Sequence, residues 1–427
     1  MTDQVRRLAA STTQRSLWAL HRRRGMLGAL NYPLILELRG RVDPGLVRDA
    51  VDVVVARHES LRTVFESRNG RLEQRIEPRM EVLLPAEAID EQALDGEVAR
   101  ERGEPIDPGI RPWRARWLRV AAERSFLCFT LHHLVTDAWS TKLITDELAA
   151  VLAGDRPARR PWQYRHYLEW RRRQTALEEG ERDYWERLLQ PLAPSSLITP
   201  GMEAWGPTRS IPIPLGLDLR RTRKHAASQG HTVVVLTMAA WLQALAEMQP
   251  TTPLVSTTLS VMNRPRSELL QVVGPLANLL IIPLDISPDD GLPDVSRRLA
   301  SRVREVEPWS GFSYPTLRPR PEPGRLDDVA FQYLPALPPP RRYGAVELEV
   351  VTPRLESRFP LELVMIEDAT TVRSVLRWQP SVVRDDTAQA VASGFARILA
   401  RSVPTDDQTI RRPDEHTGTE PHRGLRL

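Results

Sequence analysis

The sequence LHHLVTDAWS, at residues 131–140, joins a predicted β-strand to a predicted α-helix. Residues 126–131, which lead into this stretch, are mostly apolar and rich in strand-forming types, as in a buried strand. Thr136 or Asp137 has the short polar side chain that caps a helix N-terminus, and apolar residues at helical spacing continue to Gly154, where the helix should end. Two histidines and a carboxylate are therefore placed at one strand-to-helix turn.

The side chains of His132, His133 and Asp137 are candidates for acid–base chemistry. An imidazole has a pKa close to neutral, so it can accept a proton from an amine or a hydroxyl at physiological pH. The alternative is that both histidines only satisfy local backbone groups, which is the usual role of a single buried histidine. The doublet, followed four residues later by a carboxylate, favours the chemical role.

Strands and helices alternate through both halves of the chain, which predicts a mixed α/β (α+β) fold. Prolines 191, 194 and 200 predict a boundary between two lobes, because domain boundaries tend to fall in exposed proline-rich segments. We assign residues 1–190 to an N-terminal lobe, 191–404 to a C-terminal lobe and 405–427 to a polar tail. Helices are predicted at 44–57, 233–248 and 385–400, strands at 34–38, 254–259, 279–284, 346–351, 361–366 and 371–378, and proline-rich loops at 315–323 and 335–340.

Charge and hydropathy exclude several classes of protein. The chain has 59 basic and 55 acidic side chains in 427 residues, and a net charge of +4 on that length is too weak a field to indicate nucleic-acid binding. No apolar stretch approaches the roughly 18 residues of a membrane span, and arginines interrupt the N-terminal runs that a signal peptide needs. The single Cys128 excludes an internal disulfide. We expect a cytoplasmic protein that binds neither nucleic acid nor membrane.

Other catalytic motifs are missing from the sequence. Ser11, Ser256 and Ser260 lack the Gly-x-Ser-x-Gly setting of a nucleophilic serine. Neither a glycine-rich phosphate loop nor a metal-ligand spacing is present. We therefore expect no permanently bound cofactor and no metal.

A series of motifs, in order along the chain, resembles the condensation domains of nonribosomal peptide synthetases, within the chloramphenicol acetyltransferase-like superfamily. The opening block of that family is similar to residues 11–18, STTQRSLW, and the block Arg-His-Glu-x-Leu-Arg-Thr-x-Phe is matched in full at 57–65. The His-His-x-x-x-Asp-Gly block is matched at 132–138, with alanine in place of glycine. Residues 164–170 and 273–278 are similar to two later blocks. The resemblance covers residues 11 to about 280 clearly and extends weakly to about 400.

This resemblance implies two acetyltransferase-like lobes in a V-shaped pseudo-dimer, with a tunnel between them. An acyl group would arrive as a thioester on the phosphopantetheine arm of an acyl or peptidyl carrier protein. An amine or a hydroxyl would attack its carbonyl, forming an amide or an ester in secondary-metabolite biosynthesis. His133, the second histidine of the pair, is implied as the catalytic residue, which either removes the proton of the nucleophile or orients it.

The resemblance also implies supporting roles around the turn. His132 is expected to make buried structural hydrogen bonds. Asp137 is expected to form a structural ion pair with an arginine, for which Arg57, Arg62 and Arg264 are all candidates that the sequence does not separate.

Three further positions have expected roles. Trp139 lies at the start of a helix whose backbone N–H groups could stabilise a developing oxyanion. Asn278 is implied as a latch residue, or it caps a turn after Gly274. Ala138 stands where the family has glycine, and an alanine at a positive φ would cost stability and space.

Ala138 therefore raises an alternative function, a catalytically silent condensation-like domain that binds a carrier protein and recruits a partner enzyme. An epimerising relative and a coenzyme A-dependent acyltransferase are further alternatives. In the second half, residues 312–315 and 325–332 depart from the family blocks expected there, so we expect an acceptor other than a standard aminoacyl group on a neighbouring carrier domain. The chain resembles a freestanding condensation domain.

Overall fold

A computed structural model describes residues 5–22, 28, 30–155, 160–200, 208–252, 254–312, 325–334, 339–343, 346–351 and 357–403. The predicted loop at 315–323, the first part of the loop at 335–340 and the predicted tail at 405–427 lie outside the described residues. The boundaries assigned to the two lobes stay predictions.

The mixed α/β fold is confirmed, with ten α-helices, four short 3₁₀ helices and fifteen strands in the described part of the chain. The helices are α1 Thr12–His21, α2 Pro44–Arg57, α3 Leu94–Gly103, α4 Ala138–Leu152, α5 Tyr164–Arg172, α6 Thr175–Leu189, α7 Leu219–Ser228, α8 Val233–Glu247, α9 Leu292–Val306 and α10 Asp385–Ser402. The strands are β1 Arg6–Ala9, β2 Asn31–Arg39, β3 Thr63–Arg68, β4 Arg71–Ile76, β5 Ala86–Ala88, β6 Trp113–Ala121, β7 Arg124–His132, β8 Arg209–Ile213, β9 Leu254–Val261, β10 Asn278–Asp285, β11 Val329–Leu334, β12 Arg341–Tyr343, β13 Val346–Val351, β14 Leu361–Glu367 and β15 Val372–Trp378.

A six-stranded sheet in the order β12-β13-β2-β7-β6-β5 positions the turn at 132–137. Its central strands β2 and β7 are antiparallel, and Asn31 at the start of β2 lies opposite His132 at the end of β7. The apolar stripes of α2 and α4 share a buried core with one face of this sheet. On the other face α3 packs through Leu94 and Val98. Helices on both faces bury the two central strands, which is why their sequences are apolar almost throughout.

A second six-stranded sheet has the order β10-β9-β11-β14-β15-β8. Its large apolar core includes residues of α8, α9 and α10. Side chains alternate along β14, so that Leu361, Leu363 and Met365 belong to this core while Glu362 and Val364 point to the opposite face. The second sheet therefore has one face packed on helices and a separate buried face that includes a carboxylate.

Strands β12 and β13 come from the second half of the sequence but belong to the first sheet. Strand β13 pairs antiparallel with β2, so that Val351 lies opposite Ile35. The second half of the chain thus completes the sheet that positions the turn at 132–137. The strands β1, β4 and β3 form a separate small sheet.

Candidate active site

His133 lies in the turn between β7 and α4 and is 8% exposed. Its ring Nδ1 is 2.7 Å from the carbonyl oxygen of Thr136. A carbonyl only accepts, so Nδ1 carries the proton and Nε2 keeps a free lone pair in the neutral ring. Burial, followed by the positive charge of Arg358, lowers the pKa of His133 to about 4. At neutral pH this imidazole is therefore an uncharged hydrogen-bond acceptor.

His132 makes hydrogen bonds through both ring nitrogens. Its Nδ1 accepts a hydrogen bond from the backbone N–H of Leu134 at 3.1 Å. Its Nε2 therefore carries the proton and donates to Nδ1 of His21, 3.2 Å away at the end of α1. Burial, followed by the neighbouring His21, lowers the pKa of His132 to about 3. Both histidines of the doublet are thus held in defined neutral tautomers.

Asp137 caps helix α4 and is fully buried. Its Oδ1 accepts from the backbone N–H and the hydroxyl of Ser140, at 2.8 and 2.6 Å. Its Oδ2 accepts from the backbone N–H groups of Leu276 and Ala277, at 3.0 and 2.9 Å. Burial alone would raise the pKa of Asp137, but the Arg264 charge and these hydrogen bonds outweigh it and hold the pKa below its usual value. Asp137 therefore joins α4 to the segment before β10.

Arg264 is the arginine that pairs with Asp137, at 2.9 and 3.0 Å from the two carboxylate oxygens. The other two candidates lie elsewhere: Arg57 pairs with Glu147 at 3.0 Å, and Arg62 donates to backbone carbonyls that include that of Pro78. The sequence left all three arginines as candidates. The packing of the second half of the chain against α4 brings Arg264 to Asp137.

Ala138 is the first residue of α4 and is exposed. Asn69 and Asn263 are the non-glycine residues with positive φ in the described chain, so alanine at 138 has an ordinary backbone conformation. Alanine in place of glycine at position 138 therefore causes no backbone strain from a positive φ. The indole of Trp139 donates to the carbonyl of Leu270 at 2.8 Å, which joins the same helix end to the short 3₁₀ helix Ser267–Gln271 of the C-terminal half.

Asn278 begins β10, and its side-chain amide donates to the carbonyls of Ser310 at 2.7 Å and of Phe312. These contacts stay within the second half, whereas the preceding backbone amides of Leu276 and Ala277 reach Asp137. The latch role of Asn278 stays a prediction.

The motif blocks of the sequence converge on the turn at 132–137. The side-chain amide of Gln14 donates to the carbonyl of Leu134 at 3.3 Å, and the hydroxyl of Ser60 donates to the carbonyl of Val273 at 2.7 Å. The hydroxyl of Tyr164 bonds that of Ser11 at 2.9 Å. Blocks more than 100 positions apart are therefore hydrogen-bonded to one another, and Gln14 reaches the histidine turn itself.

Two side chains that the sequence analysis did not single out, Tyr32 and Arg358, influence the pKa of His133 or contact its ring. The ring centroids of Tyr32 and His133 are 4.8 Å apart. The Arg358 charge acts on the pKa of both rings, and burial raises the pKa of the Tyr32 phenol above its usual value. One residue comes from β2 and the other from the turn before β14, so no spacing in the sequence connects them.

Within the described ranges, no group of three histidine, cysteine, aspartate or glutamate side chains is arranged to hold a metal ion. The same ranges contain no helix that is both long enough and apolar enough to cross a bilayer.

The chain is similar to parts of much larger proteins. It is 26% identical over 92% of its length to the nonribosomal peptide synthetase kk1B of Curvularia clavata, of which it spans 3%. It is 28% identical over 99% of its length to CymA of Salinispora arenicola, a probable non-canonical nonribosomal peptide synthetase, of which it spans 6%.

The fold is similar to those of solved structures, at identities that show the fold alone. The X-domain in complex with OxyB from teicoplanin biosynthesis matches with a TM-score of 0.79 and 20% identity, over 93% of this chain and 94% of that one. The first condensation domain of the calcium-dependent antibiotic synthetase, in complex with a substrate analogue, matches with a TM-score of 0.74 and 19% identity, over 94% and 98%. The two-lobed arrangement is consistent with these structures. The Condensation domain family matches residues 5–416, and this chain belongs to that family.

Proposed function

We propose that this domain catalyses condensation between an acyl thioester on a carrier protein and an amine or hydroxyl acceptor. The observation that carries the proposal is the hydrogen bond from His133 Nδ1 to the Thr136 carbonyl, because it leaves Nε2 as a positioned, unprotonated acceptor. Such a nitrogen can accept the hydrogen of an attacking amine or hydroxyl.

The chemistry needs no external oxidant or reductant. The lone pair of the acceptor attacks the thioester carbonyl, a C–N or C–O bond forms, the C–S bond breaks, and the acceptor's proton ends on the departing thiol of the phosphopantetheine arm. With a pKa of about 4, His133 is suited to orient the nucleophile and to pass its proton on, rather than to keep it. Acid–base assistance of this kind contributes roughly 10² to 10⁴ in rate.

The N-terminus of α4 can stabilise the oxyanion of the tetrahedral intermediate. The first backbone N–H groups of a helix lack intrahelical acceptors. Those of Ala138 and Trp139 have no hydrogen-bond partner among the described residues. Their partial positive charge, together with that of the helix dipole, favours an anionic oxygen nearby.

We further propose that a carrier protein delivers the phosphopantetheine arm and that the domain holds no resident cofactor. We also propose that it acts in the cytoplasm and binds neither nucleic acid nor membrane. The tunnel between the lobes, implied by the resemblance, is where the arm and the acceptor would meet. Ala138, where the family has glycine, is compatible with catalysis, because its side chain is exposed and its backbone has no positive φ.

The test is product formation by the wild type and by His133→Ala. Acyl groups are supplied both on a phosphopantetheinylated carrier protein and on coenzyme A, with amine and hydroxyl acceptors, and products are identified by intact mass. We expect carrier-dependent product that His133→Ala lowers by about 10²-fold or more. His225→Ala, in helix α7 of the second half, is the matched control and should keep the wild-type rate. Equal rates for His133→Ala and wild type would contradict the assignment, and reaction only with coenzyme A would favour the coenzyme A-dependent alternative.

A silent, recruiting domain is the second candidate, and the fold likeness to an X-domain in complex with OxyB favours it. In that case neither wild type nor His133→Ala forms product with any donor, while both bind the loaded carrier protein with the same affinity. Turnover that depends on His133 excludes this candidate.

A further inference from the structure

We propose that Asn31 is a positioning residue for His133, because its buried side chain anchors the short segment that contacts the histidine. Leu30 and Tyr32 precede and follow Asn31 in the chain, and each contacts His133 directly. This inference rests on the condensation function proposed above, since it concerns the geometry of the residue to which that function assigns the chemistry.

Two contacts of His133 come from the start of β2. The backbone N–H of His133 donates to the carbonyl of Leu30 at 2.8 Å. The ring of Tyr32 lies against the His133 ring, with centroids 4.8 Å apart and planes at 53°. The first contact fixes the backbone of the histidine, and the second limits the positions that its ring can take. Both contacts therefore help to set where Nε2 lies.

The side chain of Asn31 lies on the opposite face of the sheet from Tyr32, because side chains alternate along a strand. It is 6% exposed, and its amide nitrogen donates to the carbonyls of Arg102 at 2.9 Å and of Glu104 at 2.7 Å. The carbonyl of Glu101 lies 3.4 Å from the same nitrogen. These carbonyls belong to the C-terminal end of α3, and the last carbonyls of a helix lack intrahelical donors. Asn31 therefore caps α3 and attaches the start of β2 to it.

The turn before β2 approaches the same end of α3. The backbone N–H of Asn31 donates to the carbonyl of Gly28 at 2.9 Å. Gly28 has a φ of 92°, and a Cβ at this position would lie 2.6 Å from the carbonyl oxygen of Gly103. Both the backbone conformation and the lack of space therefore favour glycine there. This close approach leaves Leu30 little freedom to move relative to the helix.

The other two central strands of the sheet are attached to the end of α3 as well. In β7, two residues before His132, the hydroxyl of Thr130 donates to the Glu101 carboxylate at 2.6 Å. In β6, Arg114 donates to the backbone carbonyl and to the carboxylate of Glu101, both at 3.0 Å. Arg114 and Thr130 are partners in the β6–β7 register. The helix end thus fixes the strand that carries the histidines and the strands on both sides of it.

Asn31 is the attachment whose loss should act most directly on His133. The Glu101 carboxylate also accepts from Arg116 at 3.0 Å, so it keeps partners when one other donor is removed. Removal of the Asn31 amide instead detaches β2 from α3 at the residue between Leu30 and Tyr32. A capping role alone would lower the stability of the fold, whereas a positioning role also changes the surroundings of the His133 ring.

The experiment compares three substitutions of Asn31 with one matched control. Asn31→Ala removes the side chain, Asn31→Asp keeps its volume but lacks the NH₂ group, and Asn31→Ser keeps a single donor. Gln249→Ala is the control, because Gln249 is also a buried amide, 7% exposed, and bonds the Leu245 carbonyl at 3.3 Å in the second half of the chain. All four variants should unfold at lower urea concentration than the wild type, since each loses buried hydrogen bonds.

NMR of protein with isotope-labelled histidine reports on the His133 ring without turnover. The spectrum of His133→Ala identifies the ring-proton signals, and that of Tyr32→Leu gives their shifts without the ring current of the tyrosine. In Asn31→Ala and Asn31→Asp we expect these shifts to move towards the Tyr32→Leu values, with Asn31→Ser between them and the wild type. Gln249→Ala should leave the shifts unchanged.

Kinetics test the same inference through the proposed reaction. Asn31→Ala and Asn31→Asp should lower kcat by about 10- to 100-fold and change KM by less than about twofold, because a small displacement of Nε2 affects the chemical step more than substrate binding. Asn31→Ser should recover part of the loss, and Gln249→Ala should keep the wild-type kcat.

Three results overturn the inference. The first is wild-type ring-proton shifts of His133 in Asn31→Ala and Asn31→Asp, and the second is an equal displacement in Gln249→Ala, which would assign it to general destabilisation. The third is a loss confined to KM, which would assign Asn31 to substrate binding. An inactive wild type would contradict the proposed function but not this inference, because the NMR comparison still decides it.

Discussion

Arg264 donates to both carboxylate oxygens of Asp137, at 2.9 and 3.0 Å, and neither side chain is exposed. Asp137 caps the helix that follows the histidine doublet, whereas Arg264 lies after β9 in the second sheet. This ion pair therefore fixes the N-terminus of α4 against the C-terminal half of the chain. The position of His133 relative to the second half depends on it.

Arg264→Met should be strongly destabilising, because it leaves the Asp137 carboxylate buried without its counter-charge. Removing one partner of a buried pair costs about 3–5 kcal/mol in the free energy of unfolding. Urea denaturation monitored by tryptophan fluorescence measures this loss. Arg266→Met, at a neighbouring exposed arginine, is the matched control and should unfold as the wild type does. Equal unfolding midpoints for the two variants would contradict the structural role of the pair.

Gly274→Ala should also destabilise the junction between the halves. A Cβ at this position would lie 2.4 Å from the Tyr164 ring, so the ring or the backbone must move. Overpacking of this kind costs about 1–3 kcal/mol. Tyr164→Leu in the same chain should recover part of the loss, because the smaller side chain removes the clash. Independent, additive effects of the two substitutions would argue against direct contact.

Gly96→Ala is the control for this prediction, since Gly96 lies within α3 and a Cβ there would meet nothing within 4 Å. Alanine in a helix is favoured over glycine by about 0.5–1 kcal/mol, so this variant should be more stable than the wild type.

The stability of the domain should fall below about pH 6.5 because of its two buried histidines. His132 and His133 have pKa values lowered to about 3 and about 4 from the usual 6.5, so the unfolded chain binds more protons than the folded one in this interval. Their neutral forms stabilise the fold fully above pH 6.5, and this stabilisation is lost as the pH falls towards the folded pKa values.

Urea midpoints measured from pH 7.5 to 5 test this dependence. His132→Asn should flatten the profile, because asparagine does not titrate and its side-chain oxygen can accept from the backbone N–H of Leu134, as Nδ1 of His132 does at 3.1 Å. An equally steep profile in this variant would assign the pH dependence to other groups.

Arg358→Gln should raise the pKa of His133. The arginine charge disfavours the imidazolium, so its removal makes the ring more basic, while Asp137 and the Thr136 carbonyl continue to favour the protonated form. An NMR titration of the His133 ring in both proteins measures the change. An unaltered pKa would mean that the guanidinium and the imidazole are screened from each other.

Ala138→Gly should leave the activity of the proposed enzyme unchanged. The alanine is exposed at the start of α4 with an ordinary backbone, so glycine is not needed there to avoid strain. The rate of product formation with a carrier-bound donor tests this expectation. A large gain in rate with glycine would instead show that the alanine methyl group obstructs the substrate.

A strand at 126–131, a helix cap at Thr136 or Asp137 and a helix after it were predicted from the sequence. The structure has β7 at Arg124–His132, Asp137 as the cap and α4 beginning at Ala138. Such features follow from interactions within a few residues. They are the apolar periodicity of the helix, a side chain that caps the helix N-terminus, and Gly154, which has a φ of 89° just after the helix ends. The ordered motif blocks also predicted family membership before any contact was known.

Only the tertiary structure could place side chains that are distant in the sequence. Asp137 selects Arg264 rather than Arg57 or Arg62 because the segment after β9 packs on α4, and no local pattern encodes that packing. Likewise, Tyr32 and Arg358 are more than 300 residues apart and have no motif of their own. The amino-acid sequence alone therefore determined the strand and the helix on either side of the histidine turn, and the family. The association of the two sheets decided which charges and donors lie near His133, because electrostatic interactions depend on distance in space and not on separation along the chain.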